Sequence, residues 1–106
     1  MSVPEISAID ARRRVADHDA MLLDCREHDE VGISAIRGAM HIPMSDIPDR
    51  LAELPRQREI VVFCHHGMRS LHTAAFLREQ GFADVKSMRG GIEAWAEDVD
   101  PSVPRY

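Results

Sequence analysis

Ile60-Val61-Val62-Phe63-Cys64-His65-His66-Gly67-Met68-Arg69-Ser70 is the stretch on which the fold turns. Ile60 to Phe63 are apolar without alternation, as in a strand buried on both faces of a parallel sheet. A short polar loop with one glycine follows Cys64. A helical pattern then runs from about Arg69 to Gln80, with Leu71, Ala74, Ala75 and Leu77 on its apolar side and Gly81 as a natural C′ residue. Cys64 is therefore expected at the carboxyl end of a central strand, facing the N-terminus of the next helix. In open α/β sheets, ligands bind there.

That placement suggests a reactive thiol. A free thiol is mostly protonated at neutral pH, and a helix N-terminus favours the thiolate. The dipole is a modest effect, so more is required of the loop. Backbone N–H groups from His65 to Arg69 and the Arg69 guanidinium would form an anion cradle, which Gly67 lets curl by adopting positive φ. A plain core cysteine is the alternative, but it has no need of His-His-Gly-x-Arg behind it.

Around this stretch the pattern alternates strands and helices. Glu5-Ile6 reads as a short edge strand, and Ser7 as the N-cap of a helix to about Ala16 that buries Ala8, Ala11 and Val15. Arg12-Arg13-Arg14 on that helix is read as a solvated face. Ala20 to Leu23 forms a second apolar strand ending in Asp24-Cys25-Arg26-Glu27. Alternation puts Asp24 and Arg26 on one side and Cys25 on the other. Glu27 to Ile33 reads as a short helix, and Ala39 to Ile42 as a third strand stopped by Pro43. Asp46 to Glu53 reads as a helix capped by Ser45, with Ile47, Leu51 and Leu54 as its apolar stripe and Pro48 in its first turn. Val85 to Met88 is the last strand, and Ile92 to Glu97 a final helix with Trp95 in the core. Residues 98–106, with Pro101 and Pro104, are expected to be an extended tail. His41 is read as structural.

Leu22-Leu23-Asp24-Cys25-Arg26-Glu27, Gly38-Ala39-Met40-His41-Ile42-Pro43, the Cys64 to Ser70 stretch and Gly90-Gly91-Ile92-Glu93-Ala94-Trp95 together resemble the rhodanese family of sulfurtransferases. The four motifs stand in the right order over nearly the whole chain. The resemblance implies one rhodanese-like α/β domain over residues 1–106, with about five mainly parallel strands and helices on both faces. It implies a Cys64 nucleophile that carries a persulfide, with His65, His66, Gly67, Met68 and Arg69 binding donor or persulfide and Asp24, Arg26 and Ser70 in support. Arg69 is expected to bind the anionic donor. A small donor such as thiosulfate is implied, or a protein sulfur donor or acceptor, with no metal or organic cofactor. The chain departs from the usual family pattern at Ser34-Ala35-Ile36-Arg37, where Gly-His-Ile-Pro is common, and at Val31, where an aromatic is expected. Cys25, apolar in many relatives, is read as a core residue; a disulfide with Cys64 would need their Cα atoms within about 7 Å.

A closer alternative keeps the chemistry and changes the role, with the domain relaying sulfur to a partner enzyme; three other rivals are weaker. Related phosphatases and arsenate reductases carry five residues between cysteine and arginine, whereas this loop has four. A metal site from Cys64, His65, His66 and His72 would need adjacent residues to reach one tetrahedral ion. A non-catalytic binding module has no need of both Cys64 and Arg69. Composition fits an ordinary globular domain: 106 residues, 44% apolar, 29% charged, net charge −5. The acidic balance argues against nucleic acid. No apolar run is long enough to span a bilayer, no signal-peptide core is present, and two cysteines do not suggest an oxidised scaffold. A cytoplasmic monomer is the default expectation.

Overall fold

The computed structural model describes residues 3–17 and 19–106. Five strands form one sheet: β1 (Glu5–Ile6), β2 (Ala20–Asp24), β3 (Met40–His41), β4 (Glu59–Phe63) and β5 (Val85–Met88). Their order is β1-β5-β4-β2-β3, and every pairing is parallel. Four α-helices accompany them: α1 (Ala8–Ala16), α2 (His28–Ile33), α3 (Met68–Glu79) and α4 (Gly91–Asp98). The expected α/β architecture is the one observed.

The unbroken apolar run of β4 has the expected consequence. All five of its residues are buried, and their alternation feeds two separate cores. Val61 and Phe63 join Leu22, Ala8, Ala11, Ile92 and Trp95 on the side of α1 and α4. Ile60, Val62 and Cys64 join Leu23, Cys25, Ala74 and Leu77 on the side of α3. Period-two alternation thus puts Asp24 and Cys25 on opposite faces, as predicted.

Local signals account for most element ends. Ser7 caps α1 by accepting the Asp10 N–H at 3.1 Å. Gly67 begins α3 at φ +112°, and Gly90 precedes α4 at φ +78°. Gly91 shows the tightest fit: a Cβ there would stand 2.4 Å from the carbonyl oxygens of both Cys64 and His65. The close approach lets the first turn of α4 meet the end of β4, where the Ile92 N–H donates to the Cys64 carbonyl at 2.8 Å and the Glu93 N–H to the His65 carbonyl at 3.2 Å.

Three expectations are corrected. Residues 46–53 are not an α-helix but two 3₁₀ turns, Met44–Asp49 and Leu51–Glu53, separated by Arg50. The helical segment begins at Met44, so Pro48 falls in its interior, where it offers no N–H and its ring conflicts with the α-helical path. Ile47 and Leu54 are still buried as the stripe required. The arginine run of α1 is not wholly solvated, because Arg14 Nε donates to the buried Glu59 at 2.8 Å. The tail does not extend away either: α4 continues to Asp98, the chain turns, Val103 is buried, and Tyr106 comes back over the end of β4. Among the described residues, no helix is long and apolar enough to cross a membrane.

Gly91→Ala should cost at least about 3 kcal/mol in urea unfolding, because its Cβ would meet the Cys64–His65 backbone, which cannot swing aside as a side chain can. Gly38→Ala, at φ +87° but in open space, should cost only about 1 kcal/mol. Equal costs would show that α4 can shift to accept a methyl group.

Candidate active site

Cys64 lies one residue beyond β4, with 1% of its surface exposed. Its Sγ accepts the Gly67 N–H at 3.1 Å and the Ser70 N–H at 3.4 Å. Gly67 offers α3 no capping side chain, so the sulfur caps that helix in its place, where partial positive charge favours an anion. As a thiol, Cys64 donates its S–H to Ser70 Oγ at 3.5 Å. Ser70 Oγ is also 2.7 Å from Ser87 Oγ, and it donates to the Gly67 carbonyl at 3.0 Å. The cradle is therefore narrower than the sequence suggests: the N–H groups that reach sulfur come from Gly67 and Ser70, not from every residue between His65 and Arg69.

Arg69 spends its hydrogen bonds on α2 rather than on the sulfur. It makes a bidentate pair with Glu30, Nη1 to Oε1 at 2.6 Å and Nη2 to Oε2 at 2.8 Å. Tyr106 donates its hydroxyl to Glu30 Oε2 at 2.8 Å, and Arg26 Nη1 donates to the Tyr106 oxygen at 2.9 Å. The Arg69 guanidinium holds the Glu30 carboxyl down at about 2, so Glu30 stays ionised throughout the physiological range.

Asp24 and Arg26 are not an exposed strand-end pair. Their side chains are 3% and 0% exposed, and Arg26 Nη2 donates to Asp24 Oδ2 at 2.6 Å. Arg26 Nη2 also donates to the Ser34 carbonyl at 2.7 Å. Its own carbonyl lies 2.6 Å from His41 Nε2, a structural role for that histidine. Arg26 thus braces α2, the segment after it and the tail, rather than contacting the Cys64 loop directly.

His65 is sandwiched between His66 and Tyr106, with centroids 3.8 Å apart on each side. Burial, with the neighbouring His66, pushes its pKa below the ordinary histidine value. A neutral His65 carries no charge to steer an anion. His66 is exposed and lies 3.9 Å from Glu93, which is also engaged by Arg105. The possible ligand atoms of His65, His66 and Glu93 lie within 4.8 Å of one another. The two imidazole planes are tilted by only 25°, so their in-plane lone pairs do not converge well on one ion. Met68 is 67% exposed at the edge of the loop. Both cysteines are free. Burial pushes the Cys25 thiol up to about 12, which keeps it protonated and unreactive.

Sequence reasoning missed Glu30, Ser87 and Tyr106. Glu30 carries a partial signal, since Glu27 and Glu30 form a capping box at the start of α2. Ser87 and Tyr106 carry none, because distant chain segments bring them to the loop.

Fold and site together define an α/β domain that presents one cradled thiol at a strand end, between the N-termini of two helices. The chain belongs to the family described as the rhodanese-like domain, whose model matches residues 7–98. It is 39% identical over 102 residues to a sulfurtransferase of Allochromatium vinosum, covering 95% of each chain. It is 32% identical over 95 residues to the thiosulfate sulfurtransferase GlpE of Coxiella burnetii, covering 90% of this chain and 89% of that one. A rhodanese-related protein from Thermoplasma volcanium has the same fold, with a TM-score of 0.85 and 29% identity over 97% of this chain and 99% of that one.

Asp24→Ala should cost about 3–5 kcal/mol in urea unfolding by leaving the buried Arg26 charge unpaired; a loss below about 1 kcal/mol would mean that water replaces the partner. Glu30 gives a pH prediction. Its folded value of about 2 lies below the ordinary 4.5. Its contribution to stability is therefore complete above about 4.5 and disappears as pH falls toward 2. Wild type should lose stability across that window, and Glu30→Gln should lose less, as read from thermal midpoints at each pH.

Proposed function

We propose that this chain is a sulfurtransferase that moves a sulfane sulfur from a donor, thiosulfate or a protein persulfide, through a persulfide on Cys64 to a thiol or to cyanide. The observation that carries the reading is the Cys64 sulfur held by the Gly67 and Ser70 N–H groups at 3.1 and 3.4 Å. The relatives named as sulfurtransferases over nine-tenths of the chain support it.

In the first step the Cys64 thiolate attacks the outer sulfur of the donor. With thiosulfate, the bond between the two sulfurs breaks and its electron pair leaves on sulfite. Cys64 now bears a persulfide, whose added sulfur lies beyond Sγ. In the second step the acceptor attacks that outer sulfur and Cys64 leaves as thiolate. Cyanide becomes thiocyanate; a thiol becomes a persulfide. Sulfur itself is the electrophile in both steps, so the balance requires no external oxidant or reductant.

The loop chemistry fits the transfer of one atom. Two N–H donors on one sulfur stabilise a single negative charge without enclosing a tetrahedral oxyanion. His65 and His66 are not assigned as a general base, since a thiolate nucleophile needs none. The two free thiols suit a reducing compartment, and a cytoplasmic monomer is part of the proposal.

Intact-protein mass spectrometry after brief incubation with thiosulfate, and separately with a persulfidated protein donor, tests the reading. Wild type should gain one sulfur atom with at least one donor and lose it to cyanide, whereas Cys64→Ser should gain none. A gain retained in Cys64→Ser would remove the nucleophile assignment. Cys25→Ser should keep most of the transfer rate, and a near-total loss with a normal fold would make Cys25 a relay thiol.

A further inference from the structure

Sulfur transfer from an anionic donor calls for positive charge beside Cys64, yet the guanidinium carried by the Cys64 loop and the buried one after β2 are both matched. Arg26 is paired with Asp24 in the interior. Arg69 is paired with Glu30 through two short bonds. That second pair is itself locked. Glu30 Oε1 also accepts the Glu27 N–H at 3.1 Å, and Oε2 also accepts the Tyr106 hydroxyl. Tyr106 in turn is fixed by Arg26 Nη1 and by its stack on His65, 3.8 Å away and tilted by 10°. Arg69 keeps other N–H donors, but a donor anion that reaches it shares the guanidinium charge with a carboxylate held in place by two other contacts.

We propose that Glu30 is a specificity-determining residue that turns this site away from dianionic donors such as thiosulfate and toward persulfides that carry at most one charge. The inference rests on the reading of Cys64 as the sulfur carrier and deepens it by naming the donor class. A dianion brought to the loop meets an Arg69–Glu30 pair of zero net charge, and its stabilisation falls to the N–H groups of Gly67 and Ser70. A persulfide HS–S–R asks for less. The Cys64 thiolate attacks its terminal sulfur, the S–S bond to R breaks, and the electron pair leaves on RS⁻. The product is Cys64–S–SH, whose proton passes to RS⁻ or to solvent. Atoms and charge balance, and the leaving group carries one negative charge where thiosulfate releases a doubly charged sulfite. Glu30 acts here through Arg69, as a positioning residue that sets the local charge without touching the reacting sulfur.

The test compares second-order rate constants for persulfidation of Cys64 by two probes, thiosulfate and the persulfide of 2-mercaptoethanol, read by mass spectrometry at several salt concentrations. Glu30→Gln should raise the ratio of thiosulfate to persulfide rates by about tenfold, since one unit of charge near the loop is removed. Its thiosulfate rate should also fall more steeply with added salt than that of wild type, because an unmatched arginine then attracts the dianion. Glu30→Asp keeps the charge and should stay near the wild-type ratio. A purely structural role for Glu30 would change both donors together and leave the ratio and the salt slope alone; that result, or Glu30→Asp matching Glu30→Gln, overturns the inference. Failure of both probes to load Cys64 in wild type and in Glu30→Gln would instead remove the sulfur-transfer reading beneath it.

Discussion

A guanidinium with no exposed surface must be fully satisfied by protein, and Arg26 is such a group. Asp24 supplies the countercharge from two residues away. The remaining N–H groups reach the Ser34 carbonyl, the Tyr106 hydroxyl and, at 3.4 Å, the Glu30 carbonyl. These partners come from β2, from α2, from the segment after α2 and from the tail. One buried charge therefore gathers four pieces of chain at the carboxyl edge of the sheet. α2 buries no residue of its own, so polar contacts of this kind hold it over the site. Through α2 the same network sets the position of Glu30, and through Glu30 the orientation of Arg69.

The second constraint is steric. Gly91 allows backbone to meet backbone between the loop and α4, and two helix starts then converge on the Cys64 loop. They are used differently. The first N–H groups of α4 are taken by the carbonyls of Cys64 and His65, which pins the loop. The first turn of α3 is left facing the sulfur. A thiol that serves as a helix cap is both structural and chemical. Its negative form is stabilised by donors already in place, which need not reorganise when charge appears.

The charge carried by the Cys64 loop itself is paired. Arg69 on the loop is matched by Glu30 and Arg26 by Asp24, while Arg89, directly after β5, is exposed. The nearest histidine is pushed toward its neutral form by burial. What reaches the sulfur directly is a pair of oriented backbone N–H groups, which attract charge over a short range and in one direction. This is a local cradle rather than a long-range funnel for anions.

Much of this was legible in the sequence, for reasons that are local. The unbroken run Ile60 to Phe63 marks a doubly buried strand, because only such a strand tolerates apolar side chains on both faces. Alternation separates Asp24 from Cys25 whatever the surroundings. Ser7 and Gly67 mark places where the backbone needs a cap or a positive φ, whereas the close backbone approach at Gly91 shows only in the packed chain. The Cys64 loop, its Gly67 hinge and the following helix are contiguous, so their relation follows from order and spacing alone. Pro48 misled the reading by a matter of two residues: at the first turn it is harmless, and in the interior it leaves two 3₁₀ turns. Tertiary structure alone decided what Arg69 touches, because Glu30 is 39 residues away and no spacing rule joins them. It alone returned Tyr106 to His65 and Ser87 to Ser70. Sequence determines which groups a strand end and a helix start present to each other; the partner that matches a charge is chosen by which distant segments the packed core brings within hydrogen-bond reach.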